Sequence, residues 1–135
     1  MPQPDLKARL LLEATVSPSE DPAKVLQAVK NIVGESKCDI TADAHSARLR
    51  TEDTMALVHI RDQLRDRHVR SAARKRMLLG SSGHSTSLML NRQAAAAGVV
   101  ALCGTPEESP LGPIYLTVHS DDIIGVIDWL TAYSV

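Results

Sequence analysis

A basic segment, residues 61–76, carries the side chains best suited to bind an anion. It sets seven cations against two carboxylates, Asp62 and Asp66. Because the planar fork of arginine donates two parallel hydrogen bonds to a phosphate, such a segment could neutralise several phosphates of a nucleic acid. The cations are Arg61, Arg65, Arg67, Arg70, Arg74, Lys75 and Arg76. We predict that all of them except Arg76, whose stem is expected to lie against the core, contact RNA phosphates.

The distribution of charge along the chain supports this prediction. From residue 48 to residue 92 there are ten Lys or Arg against four Asp or Glu, whereas the rest of the chain has five against twelve. The net charge of −1 therefore conceals a cationic region. The alternative is an ordinary solvated helix face, on which Asp66 and Arg70 form an i,i+4 pair that contributes only a few tenths of a kcal/mol.

Aromatic residues are scarce, which limits the kind of RNA that the chain could bind. There is no Phe, and the large rings are Trp129, Tyr115 and Tyr133. Proteins that bind single strands usually stack bases on such rings. We therefore predict contact with the backbone and shape of structured RNA.

A second polar cluster, Asn91, Arg92 and Gln93, follows a predicted strand and precedes four alanines. We predict a recognition turn that offers hydrogen bonds to RNA. The alternative is that the two amides cap a tight turn that orients the sheet. The loop 104–113 has three prolines and two glycines, and its residues 109–113 are expected to form a rigid connector rather than a partner contact.

The chain lacks the patterns that are typical of catalysis. Its five histidines do not have the spacing of metal ligands, and the serines around His84 lack the strand–turn–helix setting of a nucleophile. The paired carboxylates at 107–108 and 121–122 have no neighbour that would separate their proton affinities. We predict a protein that is not an enzyme, with no cofactor, no metal and no small-molecule substrate.

The hydrophobic pattern predicts a single domain over residues 1–135, with 1–7 as a flexible N-terminal segment. Alternation predicts strands at 8–16, 38–42, 47–49, 86–90, 99–103 and 114–118, with a small-residue turn at 93–98. The order β-α-β-β-α-α-β-β-β-α favours an α+β two-layer sandwich, in which a largely antiparallel, mixed sheet has helices on one face.

Helical periodicity predicts four helices. The first is capped by Asp21 and ends at Gly34, and a break near Arg67–His68 separates the second from the third, whose inward stripe is Val69, Ala72, Ala73 and Met77. Thr51 or Asp53 is expected to cap the second helix. Ser120 is expected to cap the last, which turns Ile123, Ile124, Ile127 and Leu130 inward.

The cellular setting follows from the cysteines and from the apolar runs. Cys38 and Cys103 are isolated, which suits a reducing compartment better than a disulfide. We find neither a secretory signal nor an apolar run long enough to span a bilayer. We therefore expect a cytoplasmic protein without a membrane partner.

Four short stretches resemble an archaeal family of small uncharacterised proteins described as RNA-binding-like. They are Glu20–Val25, Leu90–Ala95 (LNRQAA), Glu108–Ile114 (ESPLGPI) and Ile127–Leu130. The resemblance covers most of the chain, and it implies a fold similar to the fifth protein of the large ribosomal subunit, an archaeal cytoplasmic setting and RNA binding. The chain departs from the family at Gly98–Val100, where a lysine is missing, and at Arg92, where the family usually has lysine.

These observations together favour a non-enzymatic RNA-binding or ribonucleoprotein-associated domain that uses the basic helical segment. The alternative is a protein-interaction or scaffold module that acts as a homodimer through an exposed strand edge or the apolar closing helix.

Overall fold

A computed structural model describes residues 7–66, 68–109 and 111–131. The elements are β1 (Arg9–Thr15), α1 (Pro22–Val33), β2 (Asp39–Ala42), β3 (Ser46–Thr51), α2 (Thr54–Asp66), α3 (Arg70–Leu79), β4 (Ser85–Leu90), α4 (Arg92–Ala96), a 3-10 turn (Pro106–Glu108), β5 (Ile114–His119) and α5 (Ile123–Leu130). The predicted flexible segment 1–7 lies outside the described residues except for Lys7, whose carbonyl accepts a hydrogen bond from Ser120 at 2.7 Å.

The five strands form one antiparallel sheet in the order β2-β3-β1-β5-β4. Alternation along each long strand divides the sheet into two faces. In β1, Leu10, Leu12 and Ala14 are buried under the helices, while Arg9 and Glu13 point to the other side. The predicted α+β two-layer fold is therefore confirmed, with the helices on one face and the opposite face open to solvent.

Helix α1 agrees with its sequence signals. The Asp21 side chain accepts from the Ala23 amide at 3.0 Å, and Pro22 occupies the first turn, where its missing N–H costs nothing. The helix buries one stripe, which consists of Val25, Ala28, Val29, Ile32 and Val33. It ends before Gly34, which has φ 65° and ψ −145°.

The predicted strand at 99–103 and turn at 93–98 are wrong. The alanine-rich stretch instead forms the short helix α4, because alanine is a strong helix former and the Asn91 side chain accepts from the Ala94 amide at 2.9 Å. The chain then returns beside β4 with one bridge, Leu90–Leu102, and with the Cys103 amide bonded to the Met89 carbonyl.

The break between α2 and α3 is confirmed. His68 has φ 56°, and residue 67 lies outside the described residues. Asp53 caps α2 through its bond from the Met55 amide at 2.9 Å. On α3, Ala73 and Met77 are buried and Val69 is half-buried, but Ala72 is exposed, which corrects the predicted stripe.

Helix α5 buries a slightly different stripe from the one predicted. Ile123, Val126, Ile127 and Leu130 are buried, whereas Ile124 is 48% exposed. The i, i+3, i+4 pattern that starts at Ile123 places Ile124 on the flank of the helix. Asp122 caps α5 by accepting from the Gly125 amide at 3.1 Å, and Ser120 supports it by accepting from the Asp122 amide. None of the described helices has the length and apolarity that a membrane crossing requires.

We predict that Gly34→Ala destabilises the fold by about 2 kcal/mol or more, because its φ/ψ values lie near a region almost restricted to glycine. A Cβ there would also lie 2.9 Å from Nδ1 of His59, whose ring is held by the Asn31 carbonyl at 3.2 Å. Urea denaturation measures the loss. Gly83→Ala is the matched control, because Gly83 has φ 60° but open space around it. The free energy of unfolding of this variant should fall by only about 1 kcal/mol. Equal losses would contradict the role given to His59.

Candidate nucleic-acid interface

Arg61 is held against the closing helix. Its Nε donates to the Trp129 carbonyl at 3.1 Å, and its guanidinium lies 4.8 Å from the centroid of the Trp129 ring. A cation over an aromatic face is attracted by the negative face of the ring. Arg61 therefore joins α2 to α5 instead of extending freely from the surface.

Three further cations of the basic segment also bind within the molecule. Arg65 lies 3.5 Å from both Asp62 and Asp66, and Arg74 pairs with Asp128 of α5. Arg76, whose stem was expected to lie against the core, is half-buried, and its head donates to the Cys103 carbonyl. The carboxylates beside the arginines offset much of the positive field that the sequence indicates.

The other predicted contacts of this segment are less constrained or lie outside the described part. Lys75 is exposed on α3 and forms no ion pair with a described carboxylate, whereas Arg70 is half-buried and has an interaction within the protein. Arg67 lies outside the described residues. Over the residues that the structure describes, most cations of the basic segment therefore interact within the protein itself.

Arg92 is only 5% exposed, so it is withdrawn from the predicted RNA contacts. Its Nη1 donates to the Thr15 carbonyl at 2.7 Å and to both carboxylate oxygens of Glu20 at 2.7 and 2.8 Å. Its Nε donates to the Gly112 carbonyl at 3.0 Å, and its backbone amide donates to the Ser109 hydroxyl at 3.0 Å. We call these five residues the Arg92 cluster.

The neighbours of Arg92 in the predicted turn divide between structure and surface. Asn91 caps α4, as described above, and agrees with the alternative of a capping role. Gln93 is exposed on α4. The loop 109–113 belongs to the Arg92 cluster, since the buried Ser109 hydroxyl also donates to the Gly112 carbonyl at 3.0 Å. That arrangement fits the predicted rigid connector.

The Glu20 carboxyl is ionised more easily than an ordinary glutamic acid. Burial alone would raise its pKa, but the hydrogen bonds from the Ser17 amide and from Arg92, together with the guanidinium charge, outweigh burial and lower the pKa below 4.5. The cluster is therefore a buried ion pair with most of its hydrogen bonds satisfied.

The open sheet face carries a second group of cations, which sequence reasoning missed. Arg9 of β1 and Arg48 and Arg50 of β3 all point to this face. Arg48 lies 3.4 Å from Glu13, and Arg9 lies 3.9 Å from Glu52. The alternation of arginine with apolar residues in 46–51 was the available signal, but only the strand pairing shows that these side chains are adjacent.

At one end of this face, a cavity of about 520 Å³ opens between β1, β3 and the start of β2. Its cationic lining is Arg9, Lys37 and Arg50, and its acidic lining is Asp39 and Glu52. His119 completes the polar wall. The cavity therefore brings three cations together at one end of the open face.

The described residues contain no group of three His, Cys, Asp or Glu side chains that could hold a metal ion. Cys38 and Cys103 are both free thiols. Burial, followed by the nearby charge of Glu108, raises the pKa of the Cys103 thiol, which disfavours the thiolate that a nucleophile requires.

Known proteins resemble this chain over nearly its whole length. A UPF0201 protein of Sulfurisphaera tokodaii is 35% identical over 125 residues, which cover 91% of this chain and 86% of the relative. A UPF0201 protein of Sulfolobus acidocaldarius is also 35% identical, over 127 residues and the same shares. The chain belongs to the UPF0201 family. No family model matches it.

Solved UPF0201 structures have the same architecture. The crystal structure of a UPF0201 protein from Methanococcus jannaschii is similar with a TM-score of 0.76 and 26% identity, covering 91% of this chain and 98% of that one. A DUF54 protein from Methanothermobacter thermautotrophicus has a TM-score of 0.63 at 17% identity, covering 94% of each chain, and it supports the fold alone. The predicted membership of an archaeal family is confirmed. RNA binding and the ribosomal-protein likeness stay predictions.

Three of the four stretches that indicated this family meet in the Arg92 cluster. Glu20 comes from the first, Arg92 from the second, and Ser109 and Gly112 from the third. These motif residues are joined by hydrogen bonds inside the protein. Their role in this chain is therefore to hold the fold together.

We predict that Arg92→Met lowers the free energy of unfolding by about 3–5 kcal/mol, because it leaves a buried carboxylate without its partner. Adding Glu20→Met to this variant should restore part of the loss, since the unpaired charge is then removed. Urea denaturation of both variants tests the pair. Arg65→Gln is the control, and its exposed ion pairs should contribute less than about 1 kcal/mol. A loss no larger than that of the control would refute the structural role of Arg92.

We also predict that acid weakens the wild type more than Glu20→Gln. The pKa of the Glu20 carboxyl is lower in the folded state than in the unfolded state, where it is about 4.5. Ionised Glu20 therefore stabilises the fold at a pH above 4.5, and this contribution is lost as the pH falls through the pKa of the folded state. Backbone hydrogen bonds, chiefly from His45 and Lys37, likewise lower the pKa of Asp43 and Asp53, but both proteins share them. Denaturation between pH 7 and about pH 3 should show the two stabilities converging as the pH falls. Parallel curves would exclude this linkage.

Proposed function

We propose that this UPF0201 protein is a non-enzymatic RNA-binding domain whose open sheet face contacts the phosphate backbone of structured RNA. The observation that carries the proposal is the set of three arginines, Arg9, Arg48 and Arg50, on two neighbouring strands of that face. Arginine side chains on a broad, uncovered surface suit a polyanion better than a small molecule.

The spacing of these arginines follows from strand geometry. Arg48 and Arg50 are two residues apart on one face of β3, which separates their Cα atoms by about 7 Å. Arg50 pairs with Leu11 of β1, and Arg9 lies two residues before Leu11. Side chains at such diagonal positions lie within about 8 Å of each other. The three guanidinium groups can therefore reach neighbouring phosphates.

The carboxylates beside these arginines are weak competitors. The side chains of Arg9 and Glu52 are 70% and 77% exposed, and their closest approach is 3.9 Å. Ion pairs of this kind contribute about 0–1 kcal/mol and are screened by salt. A phosphate can replace such a carboxylate at little cost, in contrast to Glu20 in the Arg92 cluster.

The helical segment becomes a secondary contact in this proposal. Lys75 is exposed and has no ion pair with a described carboxylate, while Arg65 and Arg74 would first have to leave Asp62, Asp66 and Asp128. Among the described residues, Tyr115 is the large aromatic side chain exposed on the open face. A single ring favours backbone contact over the base stacking that single-strand binding requires.

Other properties are in keeping with this proposal. The RNA-binding-like description and the likeness to the fifth large-subunit ribosomal protein are implied by the sequence resemblance. Two free cysteines suit work in the cytoplasm, where thiols stay reduced.

A homodimeric interaction module is the second candidate. Leu79 at the end of α3 is 79% exposed, and Ile124 of α5 faces solvent on the same helix layer. Exposed aliphatic side chains on neighbouring helices favour contact with another copy of the chain.

We predict that the protein binds a structured RNA hairpin at about 50 mM salt and that its affinity falls steeply as salt rises. Arg48→Gln should weaken binding and reduce the salt slope by about one unit. Filter binding over a salt series measures both quantities. Lys30→Gln, which removes one exposed cation from α1, is the matched control and should behave as wild type.

Two results would redirect the proposal. A salt slope near zero would exclude phosphate contacts altogether. Loss of binding in Lys75→Gln with wild-type behaviour in Arg48→Gln would move the interface to the helical segment. Light scattering on the same samples would reveal a homodimer, and a dimer without RNA binding would favour the interaction module.

A further inference from the structure

We propose that the cavity at the end of the open sheet face is a phosphomonoester site, which takes the terminal phosphate of an RNA strand. This inference rests on the proposed function. It also adds a direction to the bound RNA, because a site for a terminal phosphate places one end of the strand in the cavity. The cavity is the one lined by Arg9, Lys37 and Arg50, with a volume of about 520 Å³. Its size lies within the range of small-ligand sites, which is about 300–1,000 Å³.

Strand pairing places three of the side chains that line the cavity on the same face of the sheet. Arg9 is directly opposite His119 of β5, and Arg50 is directly opposite Leu11 of β1. Partners that face each other across a ladder share a face of the sheet. The heads of Arg9, Arg50 and His119 therefore come from three adjacent strands and extend into the same space.

Lys37 is fixed over this space by its own backbone. Its amide donates to Asp53 at 2.8 Å, and its carbonyl accepts a hydrogen bond from the Thr51 hydroxyl. The two bonds tie the segment before β2 to the end of β3 and to the cap of α2. The ammonium group thus starts from a positioned backbone, which reduces the conformational entropy lost when a ligand binds.

The charges of the cavity favour a dianion. Three cations line the cavity together with two carboxylates, Asp39 and Glu52. Asp39 lies directly opposite Arg50 in the β2–β3 ladder, and Glu52 lies 3.9 Å from Arg9. A phosphomonoester carries about −1.5 to −2 charges at pH 7 and three strong acceptor oxygens. A bridging diester has one charge and two free oxygens. Because the cations of the lining exceed its carboxylates by one, the more highly charged monoester gains more from the net field than the diester does.

The surroundings of the cavity suit the end of a chain. Arg48 lies two residues before Arg50 on the same face of β3, so an RNA strand whose terminal phosphate is in the cavity would extend across the face past Arg48. Leu11 and the half-buried Cys38 supply an apolar wall beside the cations, against which a terminal sugar can pack.

The test compares one RNA hairpin in two forms, with a 5′-monophosphate and with a 5′-hydroxyl, by fluorescence anisotropy. We expect the phosphorylated form to bind at least about tenfold more tightly, since charge-assisted hydrogen bonds to the terminal group are added. Lys37→Gln and Arg50→Gln should remove this preference. Arg48→Gln should weaken both forms equally and keep the ratio between them. A hairpin with a 3′-monophosphate shows which end is preferred.

Each failure has a distinct meaning. Equal affinity of the wild type for the phosphorylated and hydroxyl forms overturns the terminal site while leaving the proposed function intact. If neither RNA binds, the proposed function fails, and adenosine 5′-monophosphate titrated by NMR decides the cavity alone. Shifts at Arg9, Arg50 and His119 that are lost in Lys37→Gln would keep a phosphomonoester site, and their absence would overturn it. Circular dichroism confirms that each variant is folded.

Discussion

The guanidinium of Arg92 joins four parts of the chain that are distant in sequence. It reaches the last residue of β1, the residue before the cap of α1, and the loop that leads into β5, while its own backbone opens α4. A charge in the interior is tolerated only when its partners are all in place. The cluster therefore requires β1, α1, α4 and the 109–113 loop to take their native positions together.

Cations have different roles in the two layers of the molecule. In the helix layer, Arg61 and Arg74 hold α2 and α3 against α5 through Trp129 and Asp128. On the open sheet face, the arginines meet carboxylates only loosely and remain exposed. Arginine thus holds helices together in the helix layer and stays exposed to solvent on the sheet face. The neighbouring side chains that the fold supplies account for this difference.

Local sequence signals were sufficient for the elements whose pattern is strong. Alternation identified β1 and β3, and the Asp21–Pro22 cap with its apolar stripe identified α1. These signals failed where contacts with distant parts of the chain determine the local structure. The run 99–103 has strand-like residues but little strand to pair with, and Arg92 has its carboxylate 72 residues away in sequence. The candidate site was missed for the same reason, because Arg9, Arg50 and His119 become neighbours only through strand pairing.

The return of the chain beside β4 has a consequence for growth of the sheet. The Cys103 amide and the Ala101 carbonyl occupy hydrogen-bonding groups at the outer side of β4, next to Met89 and Asn91. The opposite border of the sheet is β2, which has four residues. One border is thus partly blocked and the other is short, so added strands find little to join. Growth of the sheet by pairing with a strand of another chain is therefore disfavoured at both borders.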